Sequence, residues 1–247
     1  MSDRIQNHYQ NIASIYDDLW FYSEYFINFF ASKIIEYLNL STTDILVDLG
    51  CGTGIYSKGI LKQINLQNPI VCVDPSDNML SKIALNSGMN PVNMDGITFS
   101  SQPGTYNRIL IKEAIHHIEE KKLLFNNLLQ RLANGGILLL LLLPPTIDYP
   151  LFRKALSLYE QTQPHYQDMA NLLQEVGFDV AIDFVDYPLK FSKEQYLNMV
   201  KNRYMSLLSR FDDQEIAAGI AELEEKYKNK STIEFIDSMV FIKASKA

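Results

Sequence analysis

The segment Val47-Asp48-Leu49-Gly50-Cys51-Gly52-Thr53-Gly54 is the part of this chain best equipped to hold a ligand with its backbone. An apolar run enters a glycine-rich turn, and a helical pattern begins at about Ile55. Side chains at Gly50, Gly52 and Gly54 would block close approach of the main chain to a bound molecule, and the turn needs dihedrals that glycine adopts freely. Doubly wound folds hold nucleotide cofactors in this way. The spacing is not that of a dinucleotide site, because only Thr53 separates Gly52 from Gly54 where two residues are needed. Asp48 precedes Gly50 at the strand end. An acid there suits a cofactor carrying an ammonium group and does not suit a pyrophosphate.

Two more acids follow in register. Asp74 closes the next apolar run, about 20 residues past the loop, where a carboxylate accepts hydrogen bonds from ribose hydroxyls. Asp95, in Asn93-Met94-Asp95-Gly96, closes a third and can accept from an adenine amino group. His116 and His117 come after a fourth strand, at the sheet edge where ligands bind in open α/β folds. Histidine titrates near neutrality and can take a proton from an attacking group; the plainer role for the pair is to pack the turn.

These residues need strands and helices in alternation to position them. Strands are expected at Ile45 to Leu49, Ile70 to Val73, Pro91 to Asn93 and Asn107 to Ile111. Ser76 is a fitting N-cap for the helix after the second. A helix from Glu119 to Leu132 is expected to stop at Asn134-Gly135-Gly136. Ile137 to Leu143 is apolar at every position, as a parallel strand buried on both faces is. The alternation predicts an α/β fold with a doubly wound parallel sheet. Beyond Pro144-Pro145, helices near Leu151 to Gln161 and Gln167 to Val176 lead to a strand from Phe178 to Val185. A polar helical insertion covers about Ser192 to Lys230, and a last strand runs from Thr232 to Ile242. Residues 1–40 read as an aromatic-rich helical cover, with Trp20, Phe21, Tyr22, Tyr25, Phe26, Phe29 and Phe30 on one broad face. No repeat or flexible linker divides the chain, so residues 1–247 are expected to form a single domain.

Asp48 to Gly54 resembles the first motif of class I S-adenosylmethionine-dependent methyltransferases, and Val73-Asp74-Pro75-Ser76 with Met79-Leu80 resembles the second. Lys112-Glu113-Ala114-Ile115-His116-His117-Ile118 is similar to the segment after strand four in the small-molecule, type 11-like branch, and Asn134-Gly135-Gly136-Ile137-Leu138 to the turn into strand five. The resemblance covers about Asp44 to Leu143. It implies a Rossmann-like, mostly parallel sheet of seven strands whose last strand is antiparallel. It implies S-adenosyl-L-methionine as cofactor, held by Asp48, Gly50, Cys51, Gly52, Gly54, Asp74, Pro75, Met79, Asp95, Gly96 and Glu113. In the phosphoethanolamine methyltransferases of this branch, a histidine at the second place of the pair works with an N-terminal tyrosine that covers the cofactor. Here these are His117, with His116 beside it, and Tyr16 or Tyr9. The insertion roofs the acceptor pocket in relatives. Its Tyr196, Met199, Val200, Arg203, Tyr204 and Leu207 share one face of an expected helix. With Trp20, the residues Tyr196, Arg203 and Tyr204 are the candidates for acceptor binding. Arg203 can hold a carboxylate or phosphate, or it snorkels from an ordinary amphipathic helix.

Composition narrows the acceptor. The net charge of −7 argues against duplex DNA, whose affinity rests on basic residues. No Asn/Asp-Pro-Pro-aromatic segment follows strand four and no Pro-Cys nucleophile is present, as nucleic-acid methyltransferases would require. Met1 to Gln10 has no apolar signal region, and Ile137 to Leu143 is too short to span a bilayer. Cys51 and Cys72, the two cysteines, form no CxxC pair, so neither a disulfide framework nor a zinc site is expected, and a cytoplasmic protein is. The expected reaction is methyl transfer to O, N or C of a small organic acceptor. The rivals are a protein or peptide methyltransferase and a cofactor-binding scaffold without turnover.

Overall fold

The computed structural model describes residues 23–246. In chain order the elements are α1 (Glu24–Leu38), β1 (Leu46–Leu49), α2 (Ile55–Leu61), β2 (Ile70–Asp74), α3 (Asp77–Leu80), β3 (Met89–Asn93), α4 (Gly96–Ser101), β4 (Tyr106–Lys112), a 3-10 turn (Ile115–His117), α5 (Lys121–Arg131) and β5 (Leu132–Leu142). Then come α6 (Arg153–Thr162), α7 (Tyr166–Val176), β6 (Asp179–Ser192), α8 (Lys193–Lys201), a second 3-10 turn (Ser206–Arg210), α9 (Asp213–Lys226) and β7 (Thr232–Ser245).

The strands form one seven-stranded sheet in the order β3-β2-β1-β4-β5-β7-β6. The strands β1 to β5 pair in parallel, while β7 runs antiparallel to both of its neighbours. This is the doubly wound sheet with an antiparallel last strand expected from the sequence. Strand β5 is buried from Ile137 to Leu142 because helices cover both faces. On one face, Phe26, Phe30, Ile34 and Leu38 of α1 pack with Ile60, Leu110, Leu139, Leu141 and Phe241. On the other, Leu124, Phe125 and Leu128 of α5 and Leu173 of α7 pack with Val47, Ile109, Ile111 and Leu140. Each such apolar side chain contributes about 1.5–3 kcal/mol by leaving water.

Three local expectations need correction. The aromatic face of α1 is narrower than its spacing suggests, since Tyr25 is 82% exposed. Helix α5 stops at Arg131, before the glycines. Leu132 is already extended, and Gly135, at φ 69°, lies inside β5 where the register with β4 shifts. A Cβ on Gly136 would lie 2.8 Å from the Ala133 carbonyl oxygen, so glycine there serves a strand irregularity rather than a helix end. Between β6 and β7 the first helix ends at Lys201. Arg203, at φ 55°, breaks the presumed continuous face.

Candidate active site

The glycine loop is built by its neighbours. Beyond β1, the amides of Gly50 and Cys51 both donate to the Val73 carbonyl, at 2.7 and 3.1 Å. Gly50, Gly52 and Gly54 have φ of 82°, 56° and 74°, a region that side-chain-bearing residues avoid. Gly50 is further constrained, because a Cβ there would sit 2.3 Å from that of Ala114. At Gly52 a Cβ would meet nothing within 4 Å. The space is open because it belongs to a cavity of about 660 Å³ at the carboxyl edge of the sheet, a size typical of ligand sites.

Three acids line that cavity. Asp48 is 3% exposed and accepts from Ser57 Oγ at 2.6 Å. Burial pushes its pKa up to about 6, against the Ser57 hydrogen bond and with the help of Asp74. A cationic ligand group there would restore its charge. Asp74 ends β2 and ties the loop together: Oδ2 accepts from the Gly52 amide at 3.0 Å and Oδ1 from the Ser76 amide at 2.8 Å. Burial raises its pKa in spite of these bonds. Asp95 is the N-cap of α4, accepting from the amides of Ile97 and Thr98 and from Thr98 Oγ1. Burial acts to raise its pKa, but these donors outweigh it and hold the carboxyl below its usual range.

Pro75, Met79, Gly96, Cys51, Glu113, His116, His117 and Tyr204 line the same cavity. Glu113 follows β4 with φ 53°, and its Oε1 accepts from the Leu143 amide at 2.8 Å, bracing the β4 and β5 ends against each other. Burial raises its pKa. The His116 and His117 rings lie 3.9 Å apart in the 3-10 turn. Burial, with Lys121 adding to it, depresses His116 to about 4, so it is neutral near pH 7.

Three expected residues lie outside the cavity lining. Gly54 has turned away; it caps α2, and a Cβ on it would press on Met89 and Ile83 at 3.2–3.3 Å. Tyr196 is fully buried behind the wall, with its hydroxyl 2.9 Å from that of Tyr204. Arg203 points away from the cavity, bonding Asp213 at 2.6 Å and the Phe211 carbonyl at 3.2 Å, because the helix has already ended. Tyr9, Tyr16 and Trp20, and with them the presumed lid, lie outside the described residues.

The other half of the cavity is walled by residues the sequence reading did not single out: Tyr56, Lys112, Tyr149, Tyr159, Gln163, Met205, Arg210 and Met239. They come from six separate parts of the chain, so no local spacing joins them. Tyr149 donates to Asp237 Oδ1 at 2.6 Å and Tyr159 to the Pro144 carbonyl at 2.8 Å, which leaves their rings as wall. Lys112 ends β4 with its Nζ 4.3 Å from the Tyr56 ring centroid. Burial lowers its basicity, although Glu113, Asp237 and Asp48 pull the other way.

Residues 47–138 match the family model described as a methyltransferase domain. No curated protein matches the chain as a sequence. Among solved structures, a protein of Anabaena variabilis described as a methyltransferase of an antibiotic biosynthesis pathway superposes with a TM-score of 0.69 at 18% identity, over 87% of this chain and 96% of that one. The phosphoethanolamine N-methyltransferase 2 of Haemonchus contortus, bound to phosphomonomethylethanolamine and S-adenosylhomocysteine, gives 0.57 at 16% identity. That likeness covers 87% of this chain, which spans only 52% of the nematode protein. The 4+2 cyclase SpnF gives 0.60 at 16% identity, over 89% of this chain and 80% of that one. These likenesses establish the fold, and the cyclase among them is a reminder that chemistry lives in the site. The matched region contains the loop, Asp74 and Asp95, and the open space beside Gly52 leaves room for a ligand against the backbone. Residues 47–138 thus match a methyltransferase domain, and the sheet that carries them has the fold of the methyltransferases on which it superposes.

Proposed function

We propose that this domain methylates O, N or C of a small organic acceptor. One observation carries the reading: the space beside the glycine loop and the aromatic-walled space under the second 3-10 turn are a single cavity of about 660 Å³. S-adenosylmethionine supplies a sulfonium methyl group, an electrophilic carbon that needs neither a metal nor a covalent enzyme intermediate. Asp48 faces the ammonium group, the backbone at Gly52 lies along the cofactor, Asp74 accepts from the ribose hydroxyls, and Asp95 from the adenine amine. Asp95 keeps lone pairs for this beyond those used in capping. Tyr149, Tyr159, Tyr204 and Met239 enclose the acceptor and exclude water, so that alignment supplies most of the rate. His117 takes the acceptor's proton where one must leave.

The test is transfer of labelled methyl groups from the cofactor by the purified protein to cell extract, sorted by size. Label in small organic molecules supports the proposal. Label in protein moves the acceptor to a peptide, and no label together with cofactor binding makes the domain a scaffold.

A further inference from the structure

The floor of the acceptor half holds a charge that the proposed reaction has not yet used. Lys112 is the last residue of β4, on the same face of the sheet as Asp48, and it lines the cavity. Among the described residues no carboxylate lies within salt-bridge distance of its Nζ, and no hydrogen bond engages it; its close partner is the face of Tyr56. A lysine drawn out of water without a hydrogen-bonded counter-charge is costly to keep. The acids that face it are each occupied or set back. Asp48 accepts from Ser57, Glu113 accepts from the Leu143 amide, and Asp237, bonded to Tyr149, lies behind the cavity lining. The amine lies over the ring of Tyr56, and the rings of Tyr149, Tyr159 and Tyr204 line the same cavity, a surface suited to a flat apolar body.

We propose that Lys112 fixes the acceptor's nucleophilic oxygen as an anion, and that the acceptor is a phenol- or enol-type hydroxyl compound. This rests on the small-molecule reading above and narrows it to O-methylation. The acceptor's O–H bond breaks and its proton passes to His117. The oxygen's electron pair forms the new bond to the methyl carbon, and the pair of the breaking carbon–sulfur bond stays on sulfur, which loses its charge. Lys112 remains an ammonium throughout, holding the oxygen while it is anionic. Contact with an anion also offsets the loss of basicity that burial imposes on the amine.

The probe is 4-nitrophenol, whose anion and neutral form absorb at different wavelengths. It is added to protein loaded with S-adenosylhomocysteine, at a pH one unit below the probe's own pKa. The expected result is a bound probe that absorbs as the phenolate. Lys112→Arg keeps that band and Lys112→Met loses it while still binding S-adenosylhomocysteine. With S-adenosylmethionine, Lys112→Met should slow methylation of simple phenols by roughly tenfold to a hundredfold, the range of a lost charge-assisted hydrogen bond, and slow acidic nitrophenols less. A wild-type probe that binds as neutral phenol, or does not bind, overturns the proposal even if the Met variant fails to fold. So does an equal loss for weakly and strongly acidic phenols. If extract label enters small amines while the bound probe stays neutral, the role of Lys112 fails and the small-molecule reading stands. If label enters protein, the broader reading has failed.

Discussion

The Gly52 amide and the Asp74 carboxylate are joined by a 3.0 Å hydrogen bond, so the acid proposed to meet the ribose also sets the shape of the loop. Replacing Asp74 with Ala removes this bond and the one from Ser76. Affinity for S-adenosylhomocysteine should fall at least about tenfold, in line with ~1–3 kcal/mol for buried hydrogen bonds left unmade. Calorimetry showing unchanged affinity would take Asp74 out of the site.

Gly52 and Gly50 should fail in different ways. Gly52→Val places a branched side chain in open cavity and at φ 56°, so cofactor binding should be lost with a modest drop in melting temperature. Gly50→Val drives its Cβ into Ala114, so the fold itself should weaken by ~2–4 kcal/mol, the scale of severe overpacking plus strain. Thermal melts and calorimetry on both variants separate the two. Full cofactor affinity in Gly52→Val contradicts the placement of the ligand against the loop.

Asp237 carries a pH dependence with a definite sign. Burial raises its pKa from 3.8 to about 6 in the folded chain, and one of its carboxylate oxygens is buried with no hydrogen-bond partner among the described residues. The folded state therefore binds more protons than the unfolded state between these values. This residue's contribution to stability falls as pH rises through that window, and above it the charged carboxylate is a net cost. Asp237→Asn can still accept from Tyr149 and should be more stable than the parent at pH 8, by about 1–3 kcal/mol. The difference should vanish by about pH 4, near the ordinary carboxylate pKa. Denaturant melts at both pH values decide it, and a variant no more stable than the parent at pH 8 refutes it.

His117→Ala should lower turnover by at least about a hundredfold with little change in cofactor affinity, if the residue takes the acceptor's proton. His116→Ala should be milder in rate. More than half of the parent rate in His117→Ala would leave that histidine with a packing role only.

The part of the cavity proposed to hold the donor was legible because the residues that line it lie next to one another in sequence. A strand, three glycines and an acid after the following strand are local signals, and each landed on the cavity except Gly54, whose positive φ serves the start of α2. The acceptor half was not. Tyr149, Tyr159, Arg210 and Met239 meet only through tertiary packing, and Lys112 stood within a recognised motif without showing which way its side chain would point. The regular spacing from Tyr196 to Leu207 misled for a related reason. Periodicity assumes one unbroken helix, and the left-handed residue Arg203 sends Leu207 to the cavity while its own side chain goes to Asp213. Asn134-Gly135-Gly136 reads equally well as a helix stop or a strand bulge, and only the pairing of β4 with β5 distinguishes them.

The place of β7 in the sheet bears on how the chain is made. Ile137 to Leu142 of β5 finds its second partner in Val240 to Ser245, the last strand in chain order. While a ribosome is still extending the chain, β5 therefore has an open, wholly apolar edge of unpaired amides and carbonyls. Such edges are sites of aggregation in partly formed sheets. A nascent or prematurely terminated chain that carries the complete glycine loop but lacks β7 should be sticky and a client of chaperones, even though every residue proposed to touch the cofactor has been synthesised.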